Sequence, residues 1–325
     1  MYNVNIIGTG SYVPDKILTN EYLETIIDTK ASWIYENLGI LERHVCNSNQ
    51  KTSDIAYEAA RRAIESSGLH ATDVNLIIVA TSTPDRLAPS TACIVQEKLG
   101  AYNAAAFDLA AVCSGFLFSL SVANQYIISG MYDNILVIGA DTFSKITDWT
   151  RRDAVFFGDG AGAAILSKSK DNCGFLSTKL YSDGRGKFNF TIPAGGSEFP
   201  STIETIEQKL HFFQMNGKAV FETAIRVLPI AIEHVLKEAN LKIEDIDYMI
   251  PHQPSINILK KTAEIIGLPF SKVMTNMDKY ANTSGGTIPI MLDEVYKSGR
   301  IKKDNLILFA SVGSGWTYGA SIFKW

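Results

Sequence analysis

The sequence predicts an α/β fold built from two similar halves. Three observations carry this reading: strand-length apolar runs that barely alternate, helical patterns between those runs, and ordered landmarks that recur about 170 residues apart.

Strand-like runs occur at Asn75–Ala80, Ala105–Leu109, Ile135–Ile138, Ala161–Leu166, Tyr248–Ile250 and Leu306–Phe309. They are rich in Ile, Val and Leu, as strands covered on both faces are, which points to parallel or mixed sheets. The intervening segments Thr52–Ser67, Ser114–Ser129, Gly217–Asn240, Ile256–Ile266 and Ile290–Ser298 carry helical periodicity. Pro229 is expected to kink the third of these helices.

The repeat is read from order rather than from any one match. Ala59–Glu65 precedes Asp73–Ile77 much as Ala231–Leu236 precedes Asp245–Ile250. Cys113-Ser114-Gly115 is followed 170 residues later by Thr283-Ser284-Gly285. Ser129-Gly130 finds Ser298-Gly299 at 169, and Asp133-Asn134 finds Asp304-Asn305 at 171. Two copies imply a pseudo-twofold pair of halves. The expected division is residues 1–168, a connecting segment of loops and short strands at 169–216, and residues 217–325.

The chain has 325 residues, 46% hydrophobic and 20% charged, with net charge −4, so it lacks the basic footprint of a nucleic-acid binder. The start of the chain shows no basic-then-apolar export pattern, and the expectation is a cytoplasmic protein without a membrane span. The most apolar stretch, Leu109–Ala123, is shorter than the roughly 18 residues a span needs. Four cysteines, none in a CxxC pair, make neither a disulfide framework nor a zinc ribbon, and no metal is expected.

Cys113 lies among small residues where a strand gives way to a helix. Unpaired N–H groups there favour a thiolate nucleophile, although context alone equally allows an inert buried thiol. Cys46, Cys93 and Cys173 lack such a setting. His252 follows the Tyr248–Ile250 run, at the strand end where α/β proteins place sites; a structural histidine is the bland alternative. Asn282 precedes Thr283-Ser284-Gly285, one residue before the supposed counterpart of Cys113, so it either caps a turn or faces the nucleophile. Gly313-Ser314-Gly315 follows the last apolar run and can be a plain turn or a source of oxyanion-binding N–H groups. Gly158-Asp159-Gly160-Ala161-Gly162-Ala163 does not fit the dinucleotide pattern.

Taken together, these stretches resemble the β-ketoacyl-acyl-carrier-protein synthase III family over essentially the whole chain. The likeness runs from Ile6–Pro14 through Trp33-Ile34, Glu42-Arg43, Pro89–Cys93, Cys113–Phe116, Phe157–Ala163, Pro251-His252-Gln253 and Asn282-Thr283-Ser284 to the glycine-rich last strand. The resemblance implies the thiolase fold, two halves in five alternating αβαβα layers, and a homodimer. It implies decarboxylative condensation of an acyl thioester with a malonyl thioester. Cys113 would hold the acyl group, His252 and Asn282 would donate to the malonyl carbonyl, and the N–H groups of Cys113 and Ser314 would stabilise the oxyanion. No cofactor would be tightly bound; acyl-coenzyme A or acyl-carrier protein and malonyl-carrier protein would be the substrates, and acyl carrier protein the partner.

Trp33 matches the aromatic that stacks on adenine in the family, with Arg151 or Arg152 beside it. Three positions that are basic in the family read Asn37, Glu222 and Asn257. Near the acyl pocket, Ala88 and Val312 stand where bulkier groups are usual. An acyltransferase or secondary-metabolism ketosynthase of the same fold is the alternative. A non-catalytic partner subunit is a further one, disfavoured because Cys113 is kept.

Overall fold

The computed structural model describes residues 3–325. Nine strands form two mixed sheets: β1 (Asn3–Tyr12), β2 (Leu76–Ala80), β3 (Ala105–Leu109), β4 (Asn134–Thr142), β5 (Asp159–Ser169), β6 (Gly174–Ser182), β7 (Tyr248–Pro251), β8 (Leu306–Gly313) and β9 (Thr317–Lys324). Sheet one has the order β1-β5-β4-β2-β3, and sheet two β6-β9-β8-β7. In sheet one β2 runs parallel to β4 and β3, and β5 is antiparallel to β4 and β1; in sheet two β7 and β8 are parallel, and β9 is antiparallel to β8 and β6. Seven helices matter here: α1 (Ala31–Leu38), α2 (Thr52–Ser67), α3 (Thr91–Leu99), α4 (Gly115–Ile128), α5 (Gly217–Ala239), α6 (Ile256–Ile266) and α7 (Thr287–Lys297).

Three apolar cores separate the layers. Ile77, Val79, Leu136 and Ile138 of sheet one pack on α2 and α3 through Ala59, Ala63 and Val95. The opposite face, with Leu76, Ile78, Ile135 and Val137, meets α4 and α7, which also cover Ile307 and Phe309 of sheet two. Leu308, Ala310 and Ile322 face outward onto α5 and α6. The order is helix, sheet, helix, sheet, helix. Neighbouring residues on one strand enter different cores, so both faces are buried and the runs barely alternate.

The sequence bounds of α2, α6 and β3 agree with the structure to the residue. Helix α7 begins three residues earlier than expected, at Thr287, because Pro289 falls in the first turn, where its missing N–H costs nothing. Helix α5 continues through Pro229 as one element of 23 residues. Strand β1 gave no clear signal because Gly8 and Gly10 interrupt it. A Cβ at those positions would lie 2.4 and 2.3 Å from the Ala63 and Ala59 carbonyl oxygens of α2, so the glycines mark close helix packing rather than a break. Segment 169–216, expected to be loops and short strands, contains the nine-residue β6 paired along β9. The rest of it holds the short strand pair Phe190–Thr191 with Gln214–Met215 and the helix Ile203–Glu207.

The repeat is in register at 172 residues rather than 170. Leu76 pairs with Ile135 as Tyr248 pairs with Ile307, and both 248 − 76 and 307 − 135 give 172. The 3-10 turns that lead into α4 and α7, Val112–Ser114 and Ser284–Gly286, keep the same spacing. Their first residues both take left-handed φ, +49° at Val112 and +51° at Ser284. The counterpart of Cys113 is therefore Gly285, not Thr283. The Ser-Gly match misaligned the halves because α7 spans 11 residues and α4 spans 14, and the small residues before them look alike.

Each half also inserts a segment between its first strand and first long helix. Residues 13–51 separate β1 from α2, and residues 183–216 separate β6 from α5.

Candidate active site

Cys113, His252 and Asn282 line one cavity of about 230 Å³, together with Gly313, Ser314 and Val312. The cavity sits where the inner helices begin and the parallel strands end, as expected for this fold class.

Cys113 occupies the turn before α4. Its sulfur lies 3.6 Å from Ser284 Oγ, and its carbonyl accepts from Ser311 Oγ at 2.9 Å. Burial works against the helix start at this sulfur. Burial, with the charge of Asp141 adding to it, pushes the thiol up to about 12, against the lowering effect of Ser284 and of backbone N–H.

His252 is anchored by its N–H to Ala310 O at 2.9 Å. Its Nδ1 lies 2.8 Å from Thr287 Oγ1, which lies 3.0 Å from Ser284 O. The Thr287 hydroxyl donates to Ser284 O, which also accepts the Thr287 backbone N–H. Burial lowers the imidazole to about 3, so the ring is neutral near pH 7.

Asn282 is held from both sides of its backbone, by Phe156 O at 3.1 Å and by the Gly158 N–H at 3.1 Å. Its Oδ1 accepts the Ser284 N–H at 2.8 Å. The amide oxygen is thereby used, and the Nδ2 hydrogens are what Asn282 offers a ligand. Asn282 lies three residues before the true counterpart of Cys113, not one.

Strand β8 delivers Gly313 against the nucleophile turn. A Cβ there would lie 3.0 Å from Ala111 O, Cys113 N and Ser114 N, so only glycine lets the two backbones meet without displacement. Ser314 Oγ is tied to Phe190 O at 2.6 Å. The remaining wall is apolar: Phe156, Phe157, Phe190, Met215 and Trp316. Phe157 and Phe190 also belong to an aromatic cluster with Phe143 and Phe213, and Phe190 stacks on Phe213 at 5.6 Å. Sequence reasoning passed over this wall; adjacent Phe156-Phe157 before Gly158 is the one signal that could have found it.

Four expected site residues, Ala88, Trp33, Arg151 and Arg152, are not in the cavity lining. Ala88 is exposed in the loop before α3. Trp33 and Arg152 lie outside the lining but together, with the guanidinium 4.6 Å above the indole. Arg151 instead forms a two-point pair with Asp153 at 2.6 and 3.1 Å, so Arg152 is the basic neighbour of Trp33. Asn37 and Asn257 do line the cavity and bond to each other, Asn257 Nδ2 to Asn37 O at 2.9 Å. Glu222 faces Lys218 at 3.9 Å on the exposed side of α5. Among the described residues no group of three or more His, Cys, Asp or Glu side chains is placed to hold a metal. No described helix is long and apolar enough to cross a membrane.

The family model for 3-oxoacyl-[acyl-carrier-protein] synthase III matches residues 107–184, and the model for its C-terminal part matches 236–325. A β-ketoacyl-[acyl-carrier-protein] synthase III of Caldanaerobacter subterraneus subsp. tengcongensis is 48% identical over 98% of this chain and 97% of its own. The crystal structure of 3-oxoacyl-[acyl-carrier-protein] synthase III from Aquifex aeolicus superposes with TM-score 0.92 at 37% identity, covering 100% of both chains. The priming β-ketosynthase of the R1128 polyketide pathway superposes at 0.90 with 28% identity, over 99% of this chain and 96% of that one. With one cavity holding the cysteine, histidine and asparagine, and with full-length relatives well above 30% identity, the chain belongs to the β-ketoacyl-acyl-carrier-protein synthase III family.

Proposed function

We propose that the protein joins an acyl thioester to a malonyl thioester with loss of carbon dioxide, giving a β-ketoacyl thioester. The observation that carries this is the opening of Cys113, His252, Asn282 and the Gly313–Ser314 turn onto one apolar cavity. Cys113 attacks the acyl thioester and holds the acyl group covalently. His252 Nε2–H and Asn282 Nδ2–H then bond the malonyl thioester oxygen, and that oxygen takes up charge as carbon dioxide leaves. The carbanion attacks the acyl-cysteine, whose oxyanion is met by the N–H groups of Cys113 and Ser314. These steps use side chains and backbone of this chain; coenzyme A and acyl carrier protein enter as thioester carriers of the substrates, with Trp33 and Arg152 as the seat for a coenzyme A adenine.

The likeness to a polyketide priming enzyme leaves the identity of the primer open to assay; the curated relatives, named β-ketoacyl-[acyl-carrier-protein] synthase III, favour a role in fatty-acid synthesis. A homodimer in the cytoplasm is part of the same reading. Strand β3 lies at the edge of sheet one, and nearby Leu87 and Tyr102 are 88% and 72% exposed, which supplies an apolar edge for a second copy. Incubation with a panel of acyl thioesters followed by intact mass measurement tests the function. An acyl adduct on Cys113 that malonyl-carrier protein converts to product is the expected result; no adduct with any primer overturns it.

A further inference from the structure

His252 and Asn282 sit on separate loops, yet both have to meet one thioester oxygen. His252 follows β7, whereas Asn282 follows the short helix Met277–Tyr280. Helix α7 reaches both loops. Its first residue, Thr287, places Oγ1 2.8 Å from His252 Nδ1. Glu294 lies seven residues further on, so at 3.6 residues per turn it falls on the same stripe of the helix. Its Oε2 accepts from Asn276 Nδ2 at 2.9 Å, and its Oε1 accepts from the Tyr280 hydroxyl at 2.8 Å. Both donors are neutral, so Glu294 serves them as a two-pronged acceptor rather than as one end of an ion pair.

The first prong leads to His252. The Asn276 N–H donates to Gln253 Oε1 at 3.3 Å, and Gln253 Nε2 donates to Pro251 O at 2.9 Å and to Met274 O at 3.1 Å. Gln253 and Asn276 are buried, so water does not compete for these bonds. The Gln253 side chain thus closes the turn that carries His252 and ties it to the segment 274–276. The second prong leads to Asn282. Tyr280 stands two residues before it, and Ala281 between them takes a φ of +54°, which an alanine keeps only where its flanks are fixed. Asn282 fixes one flank through Phe156 and Gly158, and Glu294 fixes the other through Tyr280. The turn that carries Cys113 is held from β8 instead, by Ser311 Oγ on its carbonyl.

We propose that Glu294 is a positioning residue for decarboxylation: it sets the spacing of His252 and Asn282 and leaves acylation of Cys113 untouched. A carboxylate suits the place because its two oxygens accept in two directions. An amide at 294 offers one acceptor and turns its NH2 toward a donor, and an aspartate is one methylene shorter. Two donors stabilise one developing oxyanion fully only when both are in hydrogen-bond range at once. A misplacement of about 1 Å costs on the order of 100-fold in rate. Transfer of the acyl group to Cys113 does not draw on that pair, so the two half-reactions separate when Glu294 is lost.

This inference rests on the condensation proposed above, and the experiment separates the two claims. Two rates are measured on the full-length protein: acyl-adduct formation, by rapid quench and intact mass, and carbon dioxide release from malonyl-carrier protein. The proteins are wild type, Glu294→Ala, Glu294→Gln, Tyr280→Phe and Asp293→Asn. A wild type that forms no adduct or releases no carbon dioxide sinks the function itself. With both present, Glu294→Ala should acylate within about threefold of wild type and decarboxylate about 100-fold more slowly. Glu294→Gln should fall between the two. Tyr280→Phe removes one hydroxyl and cuts one prong, so it should slow decarboxylation about tenfold, and it decides if Glu294→Ala fails to fold. Asp293→Asn controls for general loosening. Asp293 is buried on the same helix but accepts from Thr9 Oγ1 at 2.8 Å and Ser11 Oγ at 2.5 Å, both on β1. Its variant should keep the wild-type ratio of the two rates, whatever stability it loses in a urea melt. Equal loss of both half-reactions in the Glu294 and Tyr280 variants overturns the proposal. An Asp293→Asn ratio shifted as far as theirs, or wild-type decarboxylation in Tyr280→Phe, overturns it as well.

Discussion

The two turns that lead into the inner helices have the same backbone and opposite contents. In the first half the second turn residue is Cys113; in the second half it is Gly285. At the same spacing of 172, Gly313 corresponds to Asp141 and His252 to Ala80. The amide of Gly285 is occupied by the Asp141 carboxylate at 3.0 Å, whereas Gly313, beside the amide of Cys113, has no side chain to put there. One of two related anion-binding turns is filled by the protein, and the other is left open to substrate. Duplication supplied the geometry twice; three replacements decide which copy does the chemistry.

The most severe way to break this asymmetry is to remove the nucleophile. Cys113→Ala should give neither adduct nor condensation product by intact mass and product assay, and wild-type turnover in that variant would end the mechanism. Next come the donors contributed by the second half. His252→Ala and Asn282→Ala should still accept an acyl group yet lose malonyl decarboxylation by a factor on the order of 100 or more, read as carbon dioxide release. A variant that decarboxylates normally would return its residue to a structural role.

His252 also separates the halves in its response to acid. Its folded value of about 3 lies below the ordinary 6.5, so as pH falls the unfolded chain binds the proton first. Stability is therefore lost from pH 6.5 downward to about 3. Between pH 6.5 and 5 this amounts to about 2 kcal/mol. Urea melts of His252→Gln should lose correspondingly less over that interval, and parallel loss in both proteins would refute the burial argument. The smallest expected effect lies at the mouth. With Asn37, Glu222 and Asn257 in place of cations, one missing charge-assisted contact to phosphate costs roughly tenfold in affinity. kcat/KM should accordingly favour an acyl-carrier protein over the same acyl group on coenzyme A; equal efficiency, with a preference for acetyl, would show that Arg152 and nearby lysines compensate.

Much of this was legible in the sequence, for a physical reason. Double burial leaves unbroken apolar runs, and long helices leave periodicity, so the inner strands β2 and β4 were found and α2 and α6 were bounded to the residue. Cys113, His252 and Asn282 stood out through the family resemblance, since local context alone left each with an ordinary structural reading. Asp141, Ser284 and Thr287 did not, since an acid at a strand end or a hydroxyl in a turn is what capping also uses. Strand β1 was hidden by glycines that serve a neighbouring helix.

The two inserted segments leave the scaffold at equivalent points and both return as cavity wall. Residues 13–51 bring Asn37 and Leu38 to it, and residues 183–216 bring Phe190 and Met215. Neither segment carries the nucleophile, the histidine or the asparagine. Selection, or an engineer, is thus free to rewrite what the enzyme admits by exchanging one excursion at a time, while the paired halves that hold the reacting groups are inherited unchanged.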